Sequence, residues 1–419
     1  MAFALPLHDT TESLVGRARA ALARVDALPL LGTVGATLFL VNMVFVVVAF
    51  SLAAQHNNQA YFGRALGNDF GVFYTAGHIA NTYGIGRLYD RDLHATLYHR
   101  LFPYDSERPT NAPYLNTPMF VLPFLLFAKL PYLWAFGVWT VACLGMFAHS
   151  LVLLWRILPG FTGQTKWAGM AIAASFAPFS IECALSGQTS ALLLWICTLA
   201  IVADHKKWPD WSGLALALLT FKPQMLGLCM LMLLVTKRWR TLAWCLGGSL
   251  GFLFVLGPEV LGGWIETIQF TLSHTTPDKE YVQFTTRFVD LLTVATTLHP
   301  AWRMGWFLVG AAAGLGWCCY AWRRAAAGTV APWGMALAWT PLLNVHFGTY
   351  DLQMLTIPAL CALSIASGKF AISAVVLLWS MPWLATAFPM LWRGPLLAGP
   401  VLVLAIVLTA QHKKQGIQP

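Results

Sequence analysis

Leu31 to Ala53 is a run of 23 residues without one charged side chain. A helix needs about 20 such residues to cross a hydrocarbon core about 30 Å thick. That fixes the environment of this stretch, and the chain repeats it. Further apolar segments lie at about 113–129, 131–156, 167–184, 188–204, 211–221, 223–236, 240–257, 303–322, 329–344, 351–366, 369–388 and 394–410. Only 10% of the residues are charged and 58% are hydrophobic, against roughly 25% charged in a soluble domain. Short alternating segments, the mark of a membrane β-barrel, are not the pattern here. The expectation is an all-α polytopic integral membrane protein with about 11–13 transmembrane helices.

The run after residue 30 is too long for the core of a cleaved signal peptide, about 7–15 residues. It is therefore read as a retained first helix. The expected organisation is a cytoplasmic N-terminal segment (1–28), one transmembrane domain (29–411) and a cytoplasmic tail (412–419). The domain includes a first extracytoplasmic loop with interfacial helices (55–112) and a second extracytoplasmic segment (258–300).

The net charge of +9 does not point to nucleic acid. The basic residues sit in short clusters between apolar runs: Lys206-Lys207, Lys237-Arg238-Arg240, Arg323-Arg324 and Lys413-Lys414. That is the positive-inside bias. The eight cysteines all lie within apolar runs and read as small buried side chains. Neither disulfides nor a cysteine metal site is expected.

With the N-terminus inside, these clusters fall on one side. Four polar turns then fall on the other, with the first loop: Ser186-Gly187-Gln188, Phe221-Lys222-Pro223-Gln224, the 258–300 stretch, and His346 to Asp351. The register needs an odd number of crossings between 112 and 156, where two apolar segments occur. Segment 113–129, with its three prolines, is the better candidate for a re-entrant or interfacial piece. Two full crossings would invert the later clusters.

The polar turns supply the candidate chemistry. Asp69 opens a semi-apolar stretch, Asn68-Asp69-Phe70-Gly71-Val72-Phe73-Tyr74, expected to lie as a short helix on the membrane surface. A carboxylate there could take a proton from an attacking sugar hydroxyl, or cap the helix. Asp90 and Asp92 could hold a divalent cation with lipid phosphates, or cap a helix and pair with Arg87 or Arg91. Lys222 precedes a proline between two short segments, out of helical geometry. It could bind a phosphate with help from Gln224, or snorkel to the interface. His346, Tyr350 and Asp351 could contact a phosphate or a sugar hydroxyl, or join neighbouring spans. Glu182, near the outer end of its span, could join them, and a pairing with Lys222 would be enough to explain it.

These residues are familiar as a set. Asn68 to Gly77, followed by Gly86-Arg87-Leu88-Tyr89-Asp90, resembles the opening signature of glycosyltransferase family 87. Tyr114-Leu115-Asn116-Thr117-Pro118, Ser186-Gly187-Gln188-Thr189, Phe221-Lys222-Pro223-Gln224 and His346-Phe347-Gly348-Thr349-Tyr350-Asp351 resemble later stretches of it, in order. The likeness runs over about residues 30–365. One departure is Ser190, where the family often has Asn.

The resemblance implies a C-fold transferase of the polyprenyl-phosphate-mannose-dependent α-mannosyltransferase kind, in a bacterial plasma membrane. Its active site would face the extracytoplasmic side. A sugar, most often mannose, would pass with inversion to a hydroxyl of a glycolipid or glycan. Asp69 would match the general base, and Lys222, His346 and Gln224 the donor-phosphate contacts. Tyr74, Tyr89, Asp90, Glu182, Gln188, Tyr350 and Asp351 would support substrate. No cofactor and no obligatory metal are implied, although Asp90 and Asp92 leave a metal open. Two alternatives remain: a transporter or flippase for a lipid-linked or anionic solute, and a C-fold transferase using another lipid-linked sugar such as arabinofuranose.

Overall fold

The computed structural model describes residues 27–55, 60–61, 64–103, 113–158, 163–274, 288–325, 329–344, 347–365, 369–387 and 394–415. The protein is helical, apart from a two-residue ribbon of β1 (Ala60–Tyr61) and β2 (Arg64–Ala65) among the described residues. The first helix among the described residues, α1 (Ala27–Gln55), is the charge-free run. Leu40, Val44 and Val47 on it are exposed, which suits a side facing lipid tails.

The first loop then folds into α2 (Asn68–Thr82) and α3 (Arg91–Leu101). The surface helix expected at Asp69 is present as α2, but its aromatic side meets protein. Phe70, Phe73 and Tyr74 are buried. Phe70 packs on Phe124, Tyr132, Phe136 and Trp139, with ring centroids 5.3 to 6.1 Å apart. Aromatic residues bury the largest areas, so this cluster fastens the loop to the bundle.

Segment 113–129 is not one continuous helix. It forms a 3₁₀ turn over Pro118–Val121 and a single helical turn over Phe124–Phe127, as its prolines require. Then come α4 (Tyr132–Ile157), α5 (Gly163–Ala174), a π-helical turn over Phe179–Cys183, and α6 (Ser190–His205). The short segments around Lys222 are α7 (Pro209–Ala217) and α8 (Leu226–Val235). Two 3₁₀ turns separate them, with Lys222 between at φ −134° and ψ 75°.

Next is α9 (Trp239–Phe254), followed after a 92° bend by α10 (Pro258–His274). Gly257 turns the corner at φ 91°. The described residues of the 258–300 stretch are thus largely helical, with α11 (Leu291–Leu298) at its end. The remaining helices are α12 (Arg303–Arg323), α13 (Ala331–Leu343), α14 (Thr356–Ile365), α15 (Lys369–Ala387) and α16 (Gly394–Gln415).

Among the described residues three helices are long and apolar enough to cross a membrane alone: Pro29–Gln55, Tyr132–Ile157 and Pro300–Arg323. The bent pair around Gly257 makes a fourth if taken as one span, and five further apolar helices have 10–17 residues. The expected 11–13 spans therefore do not occur as that many long helices. Prolines, 3₁₀ turns and the π turn break several apolar runs. Irregular backbone of that kind is tolerated in a membrane only where protein or a wet cavity surrounds it. One continuous buried cluster, from Ala49 to Leu408, joins the whole set. Seven of the cysteines are buried within it or beside it, and all eight are free thiols.

Candidate active site

The breaks converge at one end of α6. Here α2 begins on the Leu185–Gln188 turn, and the fastening is made of peptide groups. Gly67 N–H donates to the Leu185 carbonyl at 2.8 Å, and the N–H groups of Asp69 and Phe70 donate to the Ser186 carbonyl at 3.0 and 3.1 Å. Three of the N–H groups that a helix start leaves unpaired thus find partners. Asp69, half-buried, sits in the first turn.

Two glycines permit the docking. Gly67 has φ 70° and Gly187 φ 78°, backbone that L side chains rarely adopt. A Cβ on Gly187 would lie 2.5 Å from Phe70 Cβ. Trp139 Nε1 donates to the Gly187 carbonyl at 3.2 Å. The Tyr132 hydroxyl holds the Leu66 and Gly67 carbonyls at 2.7 and 2.8 Å.

The same turn is the exit of the π-helical segment that carries Glu182, half-buried, and Cys183. The Gln188 N–H donates to the Glu182 carbonyl at 3.0 Å. A π turn inside a helix is uncommon and often marks a functional site. This segment packs against the 3₁₀ helix Thr349–Leu355, which brings Asp351.

Asp351 Oδ1 accepts from Lys222 Nζ at 2.5 Å, with side chains only 1% and 10% exposed. The Lys222 ammonium lies 4.9 Å from the Tyr350 ring centroid and within electrostatic reach of Cys183. Glu182 was the carboxylate weighed as a pair for Lys222. The partner is Asp351, 129 residues away in the chain. Gly348 leaves room for the Tyr350 ring against the backbone, and Val289 N–H donates to the Phe347 carbonyl at 2.8 Å. His346, expected beside them, lies outside the described residues.

Asp69, Glu182, Gln188, Lys222, Tyr350 and Asp351 are therefore gathered around the turns at one end of α6. Gln224 adjoins them, but its side chain is exposed and its carbonyl takes the Asn344 amide at 3.0 Å. Tyr74 stands in the aromatic cluster with its hydroxyl donated to the Leu130 carbonyl at 2.9 Å. It anchors α2.

Tyr89 and Asp90 lie past the other end of α2, whose 15 residues span about 20 Å. The Tyr89 hydroxyl donates to the Asn116 carbonyl at 2.6 Å, and burial raises its pKa. Asp90 caps α3, accepting from Leu93 N–H at 3.0 Å, and pairs with Arg87. The Leu93 N–H above all, then Arg87, holds its carboxyl below the usual range. The capping and pairing role weighed for Asp90 is the one realised.

Sequence reasoning passed over Gly67, Trp139 and Tyr132. Gly67, directly before Asn68-Asp69, was the readable signal. The two aromatic contacts depend on distant parts of the chain and left none.

Comparison with known proteins identifies the family. The model of glycosyltransferase family 87 matches residues 114–343, 230 of the 419. The chain belongs to that family. Neither the curated proteins nor the solved structures contain a match. The family makes the protein a membrane glycosyltransferase. The match begins after Asp69 and ends before Tyr350, so it covers Glu182, Gln188, Lys222 and Gln224.

Proposed function

We propose that the protein transfers a sugar, mannose by the habit of the family, from a polyprenyl-phosphate carrier to a hydroxyl of a glycolipid or glycan. In this reading the chain has the C-fold, resides in a bacterial plasma membrane and works on its extracytoplasmic side. Asp69 accepts the proton of the acceptor hydroxyl. The hydroxyl oxygen attacks the anomeric carbon from the face opposite the phosphate. The bond from that carbon to the phosphate oxygen breaks, and its electron pair stays on the phosphate. A β-linked donor gives an α-linked product.

Lys222 meets the charge that develops on the leaving phosphate. Asp351 and the Tyr350 ring hold the ammonium in place, while Gln188 and Glu182 border the sugar. The product phosphate leaves on its lipid.

The observation that carries the reading is the attachment of the Asp69 turn to the Leu185–Gln188 turn, next to a buried lysine at a helix break. A charge at such depth is expensive and is usually kept for function. The buried oxygens Asn68 Oδ1, Thr189 Oγ1 and Gln353 Oε1 have no hydrogen-bond partner among the described residues. A polar ligand would give them one.

The test is purified full-length protein in detergent with radiolabelled polyprenyl-phosphate-mannose and a panel of membrane glycolipids. The expected result is labelled glycolipid from the wild type. Asp69→Asn should lose about 100- to 10,000-fold in rate while eluting as the same folded species. Near wild-type transfer by Asp69→Asn would remove the base. Transfer from polyprenyl-phosphate-arabinofuranose alone would reassign the sugar.

A further inference from the structure

The opposite end of α6 carries a different kind of feature. Two helices stop there in the same manner. Lys207 follows α6 with φ 61°, and Lys237 follows α8 with φ 58°; they are the only non-glycine residues with positive φ among the described ones. In each cap the lysine N–H reaches back three residues, to Asp204 at 2.9 Å and to Leu234 at 3.1 Å. The next N–H reaches back five, from Trp208 to Ala203 and from Arg238 to Leu233, each at 2.8 Å.

This is the Schellman closure, whose left-handed position is normally glycine's. Lysine occupies it twice, at the same end of the bundle. A side chain kept where backbone strain disfavours it is a pointer to function.

The surroundings fit one ligand chemistry. Lys207, Trp208, Pro209, Asp210, Trp211 and Arg240 line an open cleft of about 350 Å³. The Arg240 guanidinium is held by both oxygens of Asp210, each at 2.6 Å. Arg238 pairs with Asp204, which also accepts from Trp333 Nε1 at 2.8 Å; this pair draws the Lys237 cap against the end of α6. Five cations thus meet two carboxylates, and Lys206, Lys207 and Lys237 keep no ion pair among the described residues. Trp208, Trp211, Trp239 and Trp244 are all exposed, Trp211 by 67%. Exposed tryptophans group at the depth of lipid headgroups, and basic pockets between helices suit anionic headgroups.

We propose that this cleft is a binding site for the phosphodiester headgroup of an anionic membrane phospholipid. Lys207 supplies charge from the cleft wall and Lys237 from the neighbouring cap, Arg240 presents its outer N–H groups, and Trp208 and Trp211 flank the glycerol. The site is independent of sugar transfer.

The test titrates the full-length protein in neutral detergent with short-chain phosphatidylglycerol, and separately with phosphatidylcholine and inorganic phosphate. Each lysine near a headgroup contributes about fivefold in affinity, so Lys207→Gly/Lys237→Gly should bind phosphatidylglycerol about 25-fold more weakly. Glycine suits both backbones, so the Tm without lipid should not fall. Lys207→Arg/Lys237→Arg, which keeps the charge on the same backbone, should restore the affinity. Unchanged phosphatidylglycerol binding in the glycine variant, or no rescue by arginine, would overturn the proposal. So would an equal loss of phosphatidylcholine binding, or inorganic phosphate binding as tightly as the lipid.

Discussion

The two ends of α6 both hold carboxylate–cation pairs, and they are built on different principles. At the end with Ser190, Lys222 and Asp351 are almost wholly enclosed and meet across irregular backbone. At the end with His205, Arg240 and Asp210 meet in the open, with side chains 70% and 32% exposed, beside a more enclosed pair of Arg238 and Asp204 on regular helix ends. Enclosing two charges takes away their hydration, and attraction in a low dielectric restores it only while both partners remain. An open pair has little to lose and is screened by salt. The comparison shows where the chain has accepted a cost. At one end, where chemistry is proposed, it encloses its pair across irregular backbone; at the other, where lysines replace glycine, it strains the helix caps and leaves the Arg240–Asp210 pair to solvent.

Removing one member of the enclosed pair is the severest way to break this contrast. Asp351→Asn or Lys222→Met alone should cost about 3–5 kcal/mol, read as lost monodisperse protein or a lowered Tm. The double variant Lys222→Met/Asp351→Leu should recover much of that Tm, yet bind the lipid-phosphate donor poorly. Recovery of both stability and donor binding would make the pair purely structural.

Gly187→Ala comes next. Its Cβ would press on Phe70, and we expect a loss of about 2–4 kcal/mol from overpacking and left-handed strain together. The same variant should lower sugar transfer without touching a reacting group. Tyr74→Phe should be milder, about 1 kcal/mol for the hydrogen bond to Leu130. A larger loss of transfer than of stability would place Tyr74 among the substrate contacts.

Asp90 sharpens the comparison through pH. Its folded pKa lies below the unfolded value of about 3.9, so its stabilisation is complete above that value. It fades as pH falls through the lower folded value. The Tm advantage of wild type over Asp90→Asn should therefore be flat from neutral pH down to about 5 and shrink below about 4. Smallest of all, Arg240→Ala should leave the Tm unchanged in high salt.

Much of this arrangement was readable from sequence because it depends on local rules. Charge-free length announced the membrane class. A lysine before a proline announced the break at 222, and the order of short polar turns announced the family. The pairing of Lys222 with Asp351 was not readable, since Glu182 and Asp351 offer the same carboxylate and only the fold chooses between them. The π turn after Pro178 was also hidden, because an apolar run that bends looks like one that does not. For α2, membrane surface and protein core ask for the same aromatic residues. Composition therefore could not say which of them Phe70 and Phe73 would meet.

The attachment of α2 to the Leu185–Gln188 turn uses carbonyls and N–H groups that every amino acid carries. The seat of the carboxylate is thus insulated from drift at Asn68, Ser186 and Gln188. Lineages could retune what the site accepts by exchanging those side chains while the acid stays put. Only the two glycines and the rings stacked upon them are denied that freedom.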